Sequence, residues 1–238
     1  MKKILILLLI ILSFYIFLIY VNNANYVEES AINYEKENFE KEKLEVVRLN
    51  EIKGESYEYT IEDIKQTFYY NTIYDVDYIS SYITIGNINY IIGNTLYNKQ
   101  DNALLKSNLQ LVKADLGYPK IYKFTEVIGA AYAKTTYLQV KNQIPEIVIS
   151  MDGFTYDKDI DNDKKAETIS EYGSPGMQTT LYKWDFRNES VSYVYLNKTV
   201  FNDSPSVYID ENSQIVAYID GKEEYFFIEN GNLYRITK

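Results

Sequence analysis

The chain has 238 residues, a formal net charge of −10, and neither histidine nor cysteine. Without cysteine it has no disulfides, thiolate metal sites or cysteine nucleophiles, and without histidine Ser-His-Asp hydrolysis and most zinc chemistry are excluded. So acidic a chain repels a phosphate backbone and attracts divalent cations, which argues against nucleic acid as a partner.

In chain order, the first element is ILILLLIILSFYIFLIYV, residues 4–21, a run without charge, glycine or proline. Its length approaches the roughly 20 residues that cross a bilayer as a helix. Lys2 and Lys3 precede it and Glu28 and Glu29 follow, which keeps the N-terminus inside. Residues 1–21 therefore read as a transmembrane signal anchor, with a cleaved signal peptide as the alternative. A cleaved signal has a shorter apolar core and a small-residue cleavage site, which Asn22-Asn23-Ala24 matches poorly. Either reading exports the rest of the chain. It stays at the cell membrane with its C-terminal domain outside, or is secreted if the signal is cleaved.

Residues 22–47 are polar and charged and read as a solvated stalk, with a short helix over 29–43 carrying Glu/Lys pairs. TIEDIKQTFYY, residues 60–70, predicts a second short helix. Thr60 would be its N-cap, Glu62 and Asp63 would occupy its first turn, and Ile61, Ile64 and Phe68 would share one face.

From residue 78 the apolar period changes to two. Strands are predicted over 78–85, 88–92, 109–114, 119–126, 136–140, 145–150, 166–171, 179–186 and 190–196. The C-terminal 206–238 reads as a four-stranded antiparallel meander. Asp220-Gly221 and Asn230-Gly231 mark two of its turns, because a type I′ hairpin needs positive φ at both central residues. Residues 145–200 read as a looser unit of the same kind. Residues 48–238 are thus an extracytoplasmic domain that is mainly β. Its expected architecture is an antiparallel meander arranged as a propeller or partial propeller, with a β-sandwich as the alternative. A domain of this length has room for some four blades of about 40–45 residues each.

Within that domain lies DKDIDNDKKAE, residues 157–167. Asp159, Asp161 and Asp163 alternate, so a curling backbone can aim all three carboxylates inward. Calcium takes six to eight oxygens, commonly from alternating loop carboxylates and a main-chain carbonyl. Lys165 would supply that carbonyl and Glu167 would close the site. An EF-hand is excluded, because Ser170 stands where the closing bidentate glutamate belongs. The loop resembles the Asp-x-Asp-x-Asp-Gly-x-x-(Asp/Glu) hairpin of FG-GAP and VCBS-type repeats, the calcium loops of integrin-α-like propellers. That resemblance covers one loop, roughly residues 145–200. It implies weakly bound Ca²⁺ on Asp159, Asp161, Asp163, Lys165 and Glu167. The sequence departs from the family at Asn162 and Lys164, where glycine is usual. The plain alternative is a solvated acidic turn.

Tyr182, Trp184 and Phe186 alternate on one strand face, as a packed core stripe or as a platform for stacking sugars. The leading functional reading is a membrane-anchored, calcium-stabilised module with a structural or binding role at the cell envelope. Its partner would be a cell-wall glycan or a protein. The reading from a different class is a glycan hydrolase with paired Asp/Glu carboxylates, which requires a pocket holding two carboxylates away from residues 159–167.

Overall fold

The computed structural model describes residues 26–49, 55–73, 76–96, 110–129 and 131–237. The predicted membrane segment lies outside them. None of the described helices is long and apolar enough to cross a membrane.

The described chain is mainly β and forms four five-stranded antiparallel sheets. Four short strands come first: β1 (Tyr26–Ala31), β2 (Glu35–Asn38), β3 (Glu42–Lys43) and β4 (Val46–Val47). The first sheet follows with β5 (Glu55–Ile61), β6 (Ile64–Ile73), β7 (Val76–Ile85) and β8 (Ile88–Leu96). Next come β9 (Val112–Lys113), β10 (Ile121–Gly129), β11 (Tyr132–Lys141) and β12 (Ile144–Asp152), which form the second sheet. The third holds β13 (Phe154–Lys158), β14 (Glu167–Tyr172), β15 (Gln178–Asp185) and β16 (Ser190–Tyr195). The fourth holds β17 (Val207–Ile209), β18 (Ile215–Ile219), β19 (Lys222–Glu229) and β20 (Asn232–Ile236).

Each sheet is a meander completed by one strand of the N-terminal segment. β1 pairs with β20, β2 with β16, β3 with β12 and β4 with β8, always beside the last strand of the meander. The segment therefore visits the four sheets in reverse order. Its strands cap edges that would otherwise present unpaired amides and carbonyls. Over the described residues 26–47 this corrects the reading of residues 22–47 as a stalk with a helix over 29–43. The Glu/Lys-rich strands are exposed, but Ile32 and Phe39 are buried in the cores of the third and second interfaces.

The helix predicted over 60–70 is also corrected, since Glu62 and Asp63 form the tight turn between β5 and β6. Gln66 disguised the alternation there. It is fully buried, donating to Ser81 Oγ at 2.8 Å and accepting the Leu111 amide at 2.8 Å, so a polar residue occupies a core position. The unit expected over 145–200 is divided. β12 belongs to the second sheet, and a strand absent from the sequence reading, β13, opens the third. The C-terminal meander matches its prediction, with positive φ at Asp220, Gly221, Asn230 and Gly231.

Three buried clusters hold consecutive sheets face to face. Ile64, Ile83 and Tyr90 meet Tyr122, Phe124 and Leu138 between the first and second sheets. Tyr137, Ile149 and Met151 meet Tyr182 and Val191 between the second and third. Leu181 and Val194 meet Val207, Phe226 and Ile228 between the third and fourth. Among the described residues, no buried cluster joins the first sheet to the fourth.

Candidate metal centre

The loop between β13 and β14 is held at its base by the antiparallel pair Lys158 and Glu167. Within it, Asn162 (φ +60°) and Lys164 (φ +69°) adopt the left-handed conformation. Asparagine tolerates that region; lysine pays a steric cost of about 1–2 kcal/mol. These two left-handed residues lie two positions apart in the chain. They curl the chain so that its own amides meet its carboxylates. The Asp163 amide donates to Asp161 Oδ1 at 3.2 Å, the Lys164 amide to Asp159 Oδ2 at 3.0 Å, and the Lys165 amide to Asp163 Oδ1 at 2.8 Å. From the far side of the loop, Glu167 Oε2 accepts the Ile160 amide at 3.0 Å.

The result is a cluster. Asp159, Asp161 and Glu167 each offer a carboxylate oxygen, and these oxygens lie within 4.8 Å of one another. Asp161 and Glu167 are buried and Asp159 is half-buried. Such a group of hard oxygens can hold a metal ion. Asp159 Oδ1 is buried and has no hydrogen-bond partner. A buried carboxylate oxygen without a partner is costly, by about 1–3 kcal/mol or more. A cation at the focus of the three side chains would satisfy it.

Of the five residues named from the sequence, three converge. Asp163 does not join the group; its half-exposed carboxylate caps the Lys165 amide. Lys165 was named for its main-chain carbonyl, and its ammonium lies 3.6 Å from Asp163 Oδ2.

Two neighbours were not legible in the sequence. Lys183, on β15, places its ammonium 2.5 Å from Asp161 Oδ2. Tyr34, between β1 and β2, lies under that ammonium, with the ring centroid at 5.2 Å. The Tyr34 hydroxyl is buried without a partner, and its pKa is raised by burial and by the charges of Glu167 and Asp161. Glu167 is pushed up to about 7, chiefly by burial, with Asp161 adding to the rise and the Ile160 amide and Lys183 opposing it. Three carboxylates against one ammonium leave a surplus of two negative charges when all are ionised. A divalent cation matches that surplus.

No protein-family model, curated protein or solved structure matches the chain.

Asp157, the remaining aspartate of the acidic stretch, has a different role. Its carboxylate accepts Lys123 Nζ at 2.7 Å, the Tyr137 hydroxyl at 2.9 Å and the Thr168 hydroxyl at 2.7 Å. Trp184 Nε1 donates to the same Thr168 hydroxyl at 2.8 Å. Asp157 thus ties the second sheet to the third. The aromatic stripe joins this interface: Tyr182 is buried, and Trp184 stacks on Phe186 with centroids 5.3 Å apart. It is a core stripe, not an open platform. Asn197, in a glycosylation-type sequon, is buried with its amide donating to Met177 and Ser204 carbonyls, so it is closed to modification.

Proposed function

We propose that the chain is an exported β module whose acidic loop binds calcium, and that the ion braces the third sheet for a structural or binding role at the cell envelope. The observation that carries the calcium reading is the buried, unpartnered Asp159 Oδ1 beside Asp161 and Glu167. Calcium suits this donor set better than magnesium. The oxygens come from a curled loop of mixed geometry, and magnesium demands a near-ideal octahedron and keeps its waters. The lysine beside Asp161 and the strained Lys164 both weaken binding, which points to the millimolar affinities of extracellular modules. The export part rests on residues 4–21. It agrees with calcium use, because a millimolar site fills only where calcium is abundant. The loop's resemblance to the FG-GAP and VCBS-type hairpin supports this reading, and a propeller-like arrangement of the four sheets would go with it.

Calorimetric titration with calcium tests the reading. One saturable site, lost in Asp159→Asn, supports it. Absence of heat at millimolar calcium, or an unchanged titration in the variant, overturns it.

A further inference from the structure

The acidic loop and the N-terminal segment meet. Ile160, inside the loop, and Ile32, just after β1, belong to one buried cluster, and Tyr34 packs against it. The Tyr34 ring lies 5.2 Å from the Lys183 ammonium, and that ammonium pairs with Asp161. The Tyr34 hydroxyl is buried without a hydrogen-bond partner, yet it is close enough to Glu167 and Asp161 for their charges to push its pKa up.

A buried hydroxyl beside carboxylates would ordinarily donate to one of them. Here those carboxylates are engaged elsewhere. Asp161 takes Lys183 on Oδ2 and the Asp163 amide on Oδ1, and Glu167 Oε2 takes the Ile160 amide. The empty site thus leaves two orphans, Asp159 Oδ1 and the Tyr34 hydroxyl. An ion answers the first directly. Three carboxylates leave calcium short of its six to eight oxygens, so water fills the rest of its shell. A water on the ion is a bridging partner for the Tyr34 hydroxyl. Loading also draws Asp161 away from Lys183, and the Tyr34 ring remains beside that ammonium as a second partner. Both effects reward a docked Tyr34 more in the loaded state than in the empty one.

We propose that Tyr34 completes the calcium site from the N-terminal segment, so that the ion and the docking of β1 and β2 stabilise each other. The proposal rests on the calcium reading of the loop and goes beyond it. The ion would fasten onto the third and fourth sheets the strands that join the domain to residues 4–21, since β1 pairs with β20 and β2 with β16. The coupling is reciprocal: the factor by which calcium tightens docking is the factor by which docking tightens calcium.

The test uses the full chain in nonionic detergent. Calorimetry first looks for a calcium site in the parent protein, and its absence overturns the calcium reading and this proposal together. With the site present, amide hydrogen exchange is compared in chelator and at saturating calcium. Amides of β1 and β2 should exchange about fivefold more slowly with calcium, and those of β3 and β4 should slow less. Tyr34→Phe should lose about threefold or more in calcium affinity, yet be no less stable than the parent in chelator, because the missing hydroxyl has no partner there. That combination separates a residue of the site from one that merely packs. Tyr34→Ala, which lacks the ring as well, should lose the extra slowing of β1 and β2. If calcium binds but slows all four strands equally, the ion stabilises the fold in general and the proposal is overturned while the calcium site stands. Unchanged calcium affinity in Tyr34→Phe overturns it in the same way.

Discussion

Lys183 Nζ lies 2.5 Å from Asp161 Oδ2, so a protein cation already occupies one side of the acidic cluster. Asp161 is almost fully buried there and Lys183 is mostly covered. The pair offsets part of the cluster's negative charge and would compete with an incoming ion.

Lys183→Met should therefore act in opposite directions. In chelator, the uncompensated Asp161 should cost about 1–3 kcal/mol in urea unfolding. In calcium titrations the same variant should bind more tightly, by about tenfold, because a positive charge beside the site is gone. Loss of stability with no gain in affinity would separate Lys183 from the metal site.

Glu167 contributes to the pH dependence of the protein in chelator, beside Glu126 and Glu171, whose carboxyls burial also pushes up. Its folded pKa is raised from 4.5 to about 7. Between those values the folded chain holds a proton that the unfolded chain has released, so stability falls as pH rises through this window and levels off above it. Urea midpoints in chelator across pH 4.5–7 check this, and Glu167→Gln should flatten the Glu167 part of the slope. Calcium should remove the decline, since the ion takes the place of the proton.

Lys164 holds a left-handed backbone that glycine would adopt without strain. Lys164→Gly should stabilise the folded loop by about 0.5–1 kcal/mol, after the greater unfolded entropy of glycine is set against the relieved strain. It also removes a positive charge near the ion, so calcium affinity should rise. Unfolding and calorimetry on the same variant read both effects.

Phe39 distinguishes an integral N-terminal segment from a stalk. It is 7 % exposed and packs edge-on against Trp184 and Phe186. Phe39→Ala should cost about 3–5 kcal/mol. A side chain on a solvated stalk would cost nearly nothing, and thermal unfolding tells the two apart.

What the sequence made legible was what neighbours in the chain decide. Asn230-Gly231 and Asp220-Gly221 announce their hairpins because the turn chemistry is local. The alternation of Asp159 and Asp161, closed by Glu167, was readable for the same reason. Lys183 and Tyr34 were not, because they reach the loop through strand pairings that no short window contains. β1 to β4 were hidden by composition. An edge strand can be held by its backbone alone, so the Glu and Lys side chains of β2 and β3 carry no apolar period, and Ile32, Tyr34, Phe39 and Leu44, outside the strands, betray the buried side. Gln66 hid β6 by placing an amide where the pattern called for an aliphatic residue.

The most direct test is the melting temperature of the chain from residue 26 onward, measured in about 10 mM calcium and in chelator. For a millimolar site the ion should contribute about 1.4 kcal/mol, from RT ln(1 + [Ca]/Kd). For a chain of this size that is a rise of about 3–6 °C, absent in Asp159→Asn. Coincident curves for the parent protein, or an equal rise in the variant, would contradict a calcium-braced loop.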